Sequence, residues 1–465
     1  MTADRTDFVV IGAGSAGEAA AFYARSRGAS VAIVDRDLFG GSCPYWACMP
    51  SKTLLHAAEV RARGGDYPWP KASDRRDYMI AREHREYPDD GSHVHRLTKA
   101  GAVTLRGTAK LAGHGRVIVT HEGVMHELEG RDIVIAVGSV GKVPKLAGLE
   151  DAGYWTNREA TTLRELPRSI VVLGAGPSGV EIAQYMARFG VKTTIVAPRL
   201  VNPTDHPASS AFIAETLRRS GVDVREQVRA LQVRPRAGAN GDHIVELSDG
   251  ASVEAEIIQL SVGRTAAPAL ATLGLDAIGV AYGGEDTLTV DDRMRVADHI
   301  YAVGDVIGHE ISTHLGHYEG EMAARLILGD DVQVDFSAIP RVVYTDPETA
   351  AVGLRLDQAR ERGIDAFEET VALATSAKGY VTESDRGHVT IVVDRANKVL
   401  VGAFIAGIGA GEAIHLAVLG LKLRTPIDIL GQTVTAFPTT SRVLGGAFAA
   451  AAERLRFPEG LRTGN

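Results

Sequence analysis

Residues 7–35, DFVVIGAGSAGEAAAFYARSRGASVAIVD, decide the fold of the first part of this 465-residue chain. An apolar, strand-like run leads into the turn Gly12-Ala13-Gly14-Ser15-Ala16-Gly17, an alanine-rich helical segment follows, and a second apolar run ends at Asp35. In this dinucleotide-binding pattern the first glycine permits the turn, the second admits a pyrophosphate and the third lets the helix pack on the strand. The helix N-terminus attracts phosphates, and the carboxylate of Asp35 can accept hydrogen bonds from ribose hydroxyls.

The same unit recurs in residues 169–196, with the turn Gly174-Ala175-Gly176-Pro177-Ser178-Gly179. Two units predict two nucleotide sites. After the second strand of this unit comes Ala197 rather than an acid, and Arg199 follows. An acid would favour NADH through the 2′-hydroxyl, whereas an arginine can accommodate the 2′-phosphate of NADPH. We predict NADPH at this site, with NADH and a plain surface role for Arg199 as the alternatives.

Bulk properties exclude several classes of protein. The chain is long enough for two to four domains, and its formal net charge of −8 argues against a nucleic-acid partner. The most apolar region, residues 399–423, is interrupted by Glu412, His415 and several glycines, which argues against a membrane span. The N-terminus has no signal-peptide pattern, so we predict a cytoplasmic protein; we predict no metal site.

The two cysteines of the chain, Cys43 and Cys48, lie close together in Gly40-Gly41-Ser42-Cys43-Pro44-Tyr45-Trp46-Ala47-Cys48. In a reducing compartment such a pair is more often catalytic than structural. A helix is predicted to begin at Cys48, and a helix N-terminus favours the thiolate that carries out exchange chemistry. An inert disulfide or two buried thiols is the alternative.

Residues 40–52 resemble the active site of the pyridine nucleotide-disulfide oxidoreductases, which include dihydrolipoamide dehydrogenase, glutathione reductase and mercuric reductase. Three further stretches resemble that family's second and third FAD motifs and the start of its dimerisation domain, in the family's order: residues 136–139, 300–306 and 344–348. The resemblance covers nearly the whole chain. It implies an α/β fold with two Rossmann-like dinucleotide-binding domains and a C-terminal α+β dimerisation domain, in a homodimer. The predicted bounds are 1–150 and 265–332 for a discontinuous FAD-binding domain, 151–264 for the NAD(P)-binding domain and 335–465 for the dimerisation domain.

The resemblance also implies roles for individual residues. Cys43 would be the interchange thiol that meets the substrate, and Cys48 the charge-transfer thiol next to the flavin. Lys52 and Glu181 would form an ion pair near the reactive nitrogen of the flavin, and Asp305 would hold the ribityl chain. The predicted cofactor contacts are Gly12, Gly14, Gly17, Asp35, Gly41, Lys52, Gly138 and Asp305 for FAD, and Gly174, Gly176, Gly179 and Arg199 for NADPH.

The chain departs from the family near its C-terminus, where disulfide reductases carry a His-Pro-Thr-x-x-Glu stretch that the partner subunit supplies. Here Phe437 stands in place of the histidine and Arg442 in place of the glutamate. The histidine is a general acid–base, a role typically worth about 100- to 10,000-fold in rate, and a benzyl ring cannot perform it. Phe437 is therefore counted among the active-site residues as a substitution without acid–base chemistry.

Three interpretations of Phe437 remain open. In the first, the acceptor needs no proton, as with metal ions or quinones. In the second, protons are excluded from a carbanion, as in the 2-ketopropyl-coenzyme M carboxylase branch, which this chain resembles at Phe437 but not at Arg442, where that branch has a histidine. In the third, Phe437 only packs in a protein whose disulfide function has decayed. The C-terminus lacks the cysteine pair of mercuric reductases, which argues against efficient mercury handling. Tyr45 and Trp46 would narrow the pocket, stack on an aromatic acceptor or simply pack in the core.

The leading functional prediction is an NAD(P)H oxidoreductase that passes electrons through FAD to the Cys43–Cys48 disulfide and on to an unidentified small-molecule acceptor. One alternative is a quinone or small-electrophile reductase that works directly from the flavin, with the cysteines idle. A non-catalytic nucleotide-binding flavoprotein is the alternative of another class.

Overall fold

The structure is a computed structural model that describes residues 4–236, 241–284 and 286–457, so the predicted domain bounds at 1 and 465 lie outside the described residues. In the first part of the chain the elements are β1 Asp4–Ile11, α1 Ser15–Ser26, β2 Val31–Asp35, α2 Ser42–Trp46, α3 Cys48–Ala62, α4 Trp69–Met79, α5 Gly91–Lys99, β3 Val103–Arg106, β4 Thr108–Leu111, β5 Arg116–His121, β6 Val124–Ile135, β7 Val140–Gly141 and α6 Leu149–Ala152. The second part contains α7 Asn157–Thr162, β8 Ser169–Leu173, α8 Pro177–Arg188, β9 Lys192–Ala197, α9 Pro207–Arg219, β10 Asp223–Glu226, β11 Ala230–Arg234, β12 His243–Leu247, β13 Ser252–Ala255, β14 Ile257–Leu260, β15 Arg264–Thr265 and α10 Ala267–Leu270.

The third part contains a 3₁₀ turn at Leu275–Ile278, β16 Arg295–Ala297, β17 Ile300–Ala302, a 3₁₀ turn at Gly304–Ile307 and α11 Thr313–Ile327. The last part contains β18 Pro340–Val343, β19 Thr349–Gly353, α12 Leu356–Glu361, β20 Ala366–Ala372, α13 Ala377–Val381, β21 His388–Asp394, β22 Val399–Ala406, α14 Ala410–Lys422, α15 Ile427–Gln432 and α16 Thr440–Arg456. These elements confirm the predicted α/β class. No helix among the described residues combines the length and the apolar character needed to cross a membrane.

The first sheet has the order β16-β17-β6-β1-β2-β3, and β17, β6, β1, β2 and β3 pair in parallel. The apolar run of β1 is continuous because both faces of a parallel sheet are covered, and Phe8, Val9 and Val10 have no exposed surface. The strands β16 and β17 join this sheet although the second sheet intervenes in the chain. The first sheet is therefore discontinuous in sequence: β1, β2, β3 and β6 precede the strands of the second sheet, and β16 and β17 follow them.

The glycine turn after β1 has no room for side chains. Gly12 has φ +105°, and a Cβ there would lie 2.2 Å from the carbonyl oxygen of Ala136. A Cβ on Gly17 would lie 1.9 Å from the Gly12 oxygen. The first and third glycines are thus required by packing of the turn and helix, as the pattern predicts.

The second sheet, β10-β9-β8-β14, is parallel throughout and repeats this arrangement. A Cβ on Gly174 would lie 2.3 Å from the carbonyl oxygen of Ser261, and one on Gly179 would lie 2.2 Å from the Gly174 oxygen. Gly176 has no atom within 4 Å of its Cβ position, so its turn faces open space.

The last part of the chain is an antiparallel sheet, β18-β19-β22-β21-β20, whose core includes residues of α14 and α16. The site is assembled where this part meets the two parallel sheets. The helix α11 packs closely on α1, since a Cβ on Gly320 would lie 2.0 Å from the Ala16 oxygen. The Ser15 hydroxyl donates to the Thr313 carbonyl at 2.9 Å, so the N-termini of α1 and α11 open side by side.

Candidate redox-active site

The N-termini of α1, α3 and α11 open on one cavity of about 960 Å³. The predicted site residues that line it are Gly14, Cys43, Cys48, Lys52, Gly138, Glu181 and Asp305. These residues come from five segments separated by up to about 290 positions in the chain, so only the tertiary fold brings them together. The other predicted residues lie outside the lining: Gly12, Gly17, Asp35 and Gly41 around the first turn, Gly174, Gly176, Gly179 and Arg199 in the second unit, and Phe437.

The two cysteines lie on consecutive helices. Cys43 belongs to the single turn of α2, Ala47 breaks the helix at φ −133° and ψ −93°, and Cys48 is the first residue of α3. Both thiols are free, and they share a hydrogen bond. That bond, assisted by the Thr313 hydroxyl and the Lys52 ammonium, lowers the pKa of Cys48 to about 6, while it raises the pKa of Cys43 far above its ordinary value. Cys48 is therefore the thiolate and Cys43 keeps the proton.

Thr313 is a site residue that sequence reasoning missed. Its Oγ1 lies 3.3 Å from the Cys48 Sγ, and it also hydrogen-bonds to Cys43. Thr313 is the first residue of α11, a 15-residue helix, so the positive end of that helix dipole also faces the sulfur pair. A hydroxyl residue at the start of a helix is common, so the sequence alone does not mark Thr313 as a site residue. Only its contact with Cys48, 265 positions away in the chain, identifies it.

A second charge cluster borders the cysteines. The Lys52 Nζ lies 2.7 Å from the Glu181 Oε2, and Lys52 follows Cys48 by four residues on the same face of α3. The other Glu181 oxygen accepts the backbone N–H of Tyr344 at 3.0 Å, and the Lys52 ammonium lies 4.6 Å from the Tyr344 ring centroid. Burial lowers the pKa of Lys52, but Glu181 outweighs it and raises that pKa above its ordinary value. Glu181 thus holds the positively charged Lys52 ammonium in place, and that ammonium lowers the pKa of Cys48.

Tyr45 and Trp46 face away from the cavity. They are 3% and 6% exposed, and neither ring belongs to the cavity lining. The Trp46 ring instead packs under the Arg158 guanidinium, at 4.8 Å from the ring centroid. Asn157 Nδ2 donates to the Trp46 carbonyl at 2.6 Å, and Thr161 Oγ1 lies 3.3 Å from the same oxygen. Of the three interpretations, packing in the core fits this burial, and narrowing of the pocket or stacking on an acceptor does not; Trp46 also anchors the cysteine segment to α7.

The residues around the first glycine turn fit a bound FAD. Gly14 and Gly41 touch, because a Cβ on Gly41 would lie 2.7 Å from the Gly14 Cα, so a side chain there would close the mouth of the turn. Asp35 accepts the backbone N–H groups of Ala13, at 2.7 Å, and Asp37, at 2.8 Å. Burial raises the pKa of Asp35, and these two donors hold its carboxylate at the rim of the turn.

Asp305, in the 3₁₀ turn after β17, accepts the Ser139 hydroxyl, and the Arg264 Nε donates to the Ser139 Oγ at 2.7 Å. Asp305 and Gly138 therefore belong to one polar wall of the cavity. Such a wall of carboxylate and hydroxyl groups suits the hydroxyl-rich chain of a flavin nucleotide.

The second glycine turn is open to solvent, and a basic residue lies beside it. Gly176 faces open space and Arg199 is exposed beyond the end of β9. The neighbouring acid, Glu226, pairs in register with Ala197, but its oxygens are taken by the Val201 N–H at 2.9 Å and by Arg218 at 3.0 Å. The carboxylate nearest the strand end is thus engaged by the protein itself.

The C-terminal substitutions lie away from the cysteines of their own chain. Phe437 is 74% exposed, and the backbone N–H of Arg442 donates to the Thr439 hydroxyl at the start of α16. Three histidines line the cavity instead: His314, His317 and His415. The sequence analysis assigned none of the three to the site. His314 and His317 follow Thr313 on α11, and that position becomes a signal only once Thr313 is seen to contact the cysteines.

Two family models together match most of the chain. The model described as "Pyridine nucleotide-disulphide oxidoreductase" matches residues 6–323, and that family's dimerisation-domain model matches residues 339–448. Among curated relatives, a mercuric reductase of Shigella flexneri is 30% identical over 95% of this chain and 79% of its own length. A dihydrolipoyl dehydrogenase of Halobacterium salinarum is 30% identical over 94% of each chain.

Solved structures show the same likeness. The Cu(II) complex of the HOCl-induced flavoprotein disulfide reductase RclA from Escherichia coli superposes with a TM-score of 0.84 at 25% identity, over 96% of this chain and 99% of its own. LpdA from Mycobacterium tuberculosis also has a TM-score of 0.84 at 25% identity, with the same coverage.

Proposed function

The chain belongs to the pyridine nucleotide-disulphide oxidoreductase family, and on that basis we propose that it passes electrons from NADPH through the Cys43–Cys48 pair to a thiol-reactive acceptor. The observation that supports this most directly is the state of the two sulfurs: Cys48 is stabilised as a thiolate by Cys43, Thr313 and Lys52, with a pKa of about 6. An idle pair would need none of these contacts.

FAD is the cofactor of this family, and when bound it supplies the electron transfer between nicotinamide and sulfur. We propose that Gly12, Gly14 and Gly17 receive its pyrophosphate, that Asp35 binds its adenosine ribose and that Asp305 holds its ribityl chain. Gly41 and Gly138 leave room for it. We assign NADPH to the second turn, with Gly174, Gly176 and Gly179 at its pyrophosphate and Arg199 at its 2′-phosphate.

The cysteines do the remaining chemistry. Reduction of the Cys43–Cys48 disulfide by the hydride of NADPH yields NADP⁺, the Cys43 thiol and the Cys48 thiolate, and one proton from solvent would complete the dithiol. Lys52, which Glu181 holds in place through their ion pair, keeps a positive charge beside Cys48 and so favours the thiolate over the thiol. Cys43 then meets the acceptor, and re-formation of the disulfide releases two electrons to it.

One acceptor class has a specific observation in its favour: a thiophilic metal ion. Phe437 cannot supply the acid that a leaving thiol takes from this position in the family's disulfide reductases, and a metal ion has no leaving thiol. In such a reaction the dithiol gives one electron to each of two Cu(II) ions, and forms the disulfide, two Cu(I) ions and two protons. Relatives named for mercury and for a Cu(II) complex make this class worth testing. A disulfide acceptor remains the family's ordinary alternative.

We further infer a homodimer, because residues 339–448 match a dimerisation domain. Its surface in the single chain carries exposed apolar residues, including Val434 at 94% and Phe437 at 74%. Large exposed apolar side chains of this kind mark an interface.

The proposal is tested by anaerobic titration of the FAD-loaded protein with NADPH and, separately, NADH. We expect NADPH to bleach the flavin and to convert Cys43 and Cys48 to alkylatable thiols. A panel of aromatic disulfides, aliphatic disulfides, quinones and Cu(II) is then offered to the wild type and to Cys48→Ser. Loss of turnover in Cys48→Ser supports electron flow through the cysteines.

Two outcomes would contradict this proposal. Undiminished turnover in Cys48→Ser would assign the reaction to the flavin alone, with the cysteines idle. A flavin that neither nucleotide bleaches would indicate a non-catalytic nucleotide-binding protein.

A further inference from the structure

The sulfur pair presents a proton problem. Cys43 donates its hydrogen bond to the Cys48 thiolate, and this raises the pKa of Cys43 far above its ordinary range. Only a thiolate attacks a disulfide or binds a soft metal ion. Cys43 must therefore lose its proton to a nearby base before it reacts, whichever acceptor it meets. Phe437 cannot be that base.

The cavity contains three histidines, and two of them are poorly placed for this task. The His314 Nε2 lies 2.9 Å from the Pro340 carbonyl oxygen and 3.2 Å from the Ser312 hydroxyl, so its ring is engaged at the edge. His415 is on α14, which contacts β18, β19, β22 and α16 and carries none of the groups that touch the sulfurs. His317 differs from both.

His317 follows Thr313 by four residues on α11. Residues at this spacing project from the same helix face, about 5–6 Å apart at Cβ. The Thr313 hydroxyl contacts both sulfurs, and His317, one helical turn from Thr313, lines the same cavity as Cys43 and Cys48. His317 is exposed and lines the cavity, and its ring makes no hydrogen bond or ion pair with another of the described residues. An unengaged imidazole in the same cavity as a protonated nucleophile is the arrangement that general base catalysis requires.

We propose that His317 is the acid–base group of this site, which takes the proton of Cys43 directly or through one water molecule. This inference rests on the proposed role of Cys43 and Cys48. With a disulfide acceptor, the Cys43 thiolate attacks one sulfur, and the protonated His317 returns its proton to the thiolate that leaves. The Cys48 thiolate then attacks Cys43 in the mixed disulfide and expels the second thiolate, which solvent protonates. With a metal ion, His317 passes the proton to solvent.

The pH dependence due to His317 must be distinguished from the titration of the other ionisable groups in the cavity. These groups are Lys52, Glu181, Asp305, Tyr344, Glu348 and Glu412. Unperturbed carboxylates, ammonium groups and phenols titrate outside the window of about pH 5–8 in which imidazoles do. Burial raises the pKa of Glu348, so it is the group in this set to check with a Gln variant.

The first measurement needs neither cofactor nor acceptor. The protein is reduced chemically, and the alkylation rate of Cys43 is followed by peptide mass spectrometry across pH 5–9. In the wild type we expect the rate to rise through the imidazole window, and in His317→Gln we expect that rise to vanish, with a loss of about tenfold or more at pH 7. An unchanged profile in His317→Gln, or loss of the rise in His415→Gln or Glu348→Gln instead, overturns the proposal.

The second measurement uses the FAD-loaded protein. Reduction of Cys43–Cys48 by NADPH should proceed at the wild-type rate in His317→Gln, while reoxidation by an aliphatic disulfide slows by about 100-fold or more. An aromatic disulfide, whose leaving thiol needs no acid, should recover part of that loss at high pH. If NADPH fails to reduce the cysteines in the wild type, the proposed function fails, and the alkylation profile still decides the role of His317. An unchanged melting temperature in all three Gln variants shows that the effect is local.

Discussion

Replacement of Thr313 by valine should move the titration of Cys48. The hydroxyl lies 3.3 Å from the Cys48 sulfur, so the variant removes one hydrogen bond to a charged group. Such bonds contribute about 1.5–3 kcal/mol, and one pKa unit corresponds to about 1.4 kcal/mol. We take the lower value, because the cavity is open to water, and expect the pKa of Cys48 to rise from about 6 to about 7.

The sign follows from the charge of the reactive form. The thiolate is present above the pKa and is lost as the pH falls through it, so the valine variant loses it at a higher pH than the wild type. At pH 6 the thiolate fraction should fall from about one half to about one tenth, a roughly fivefold slower alkylation of Cys48. Peptide mass spectrometry of chemically reduced protein measures this rate, and Thr313→Ser, which keeps the hydroxyl, is the matched control. Superimposable pH profiles for Thr313→Val and wild type would refute the assignment of Thr313 as a thiolate donor.

Three further predictions concern the charge pair and the second nucleotide site. Lys52→Met leaves Glu181, 4% exposed, without its partner; because Lys52 itself is 35% exposed, we expect a loss of about 1–3 kcal/mol in the free energy of unfolding, measured by urea titration. Glu181→Gln in the same background should restore most of it. Gly174→Ala would place a Cβ 2.3 Å from a backbone carbonyl and should unfold the second sheet, whereas Gly176→Ala should fold normally and raise the KM for NADPH, as circular dichroism and steady-state kinetics would show. Arg199→Ala should raise the KM for NADPH by about tenfold, the value of one lost charge-assisted contact, and leave the KM for NADH unchanged; equal effects on both nucleotides would remove Arg199 from the 2′-phosphate site.

Local chemistry made much of the site predictable. The glycine turn between a strand and a helix is a pattern within one short segment, so Gly12 could be interpreted without coordinates, whereas Lys52 was identified through the family resemblance of residues 40–52. The side-chain directions of Tyr45 and Trp46 could not. Both orientations satisfy the same sequence, and the buried one is selected by a small apolar cluster of both rings with Leu38 and Ile80 and by the contact of the Trp46 ring with Arg158.

The sequence by itself determined the two dinucleotide-binding units, the cysteine pair, its helix and the absence of a histidine at position 437. Each of these depends only on residues that are close together in the sequence. Only the tertiary structure decided which sulfur holds the charge and which groups surround it. Thr313 lies 265 residues from Cys48, and Glu181 lies 129 residues from Lys52. Contacts at such separations arise from the packing of α11 on α1 and of α3 on α8, and no local pattern encodes them. The same packing places His317 in the cavity of the two sulfurs, whereas position 437 offers only a benzyl ring.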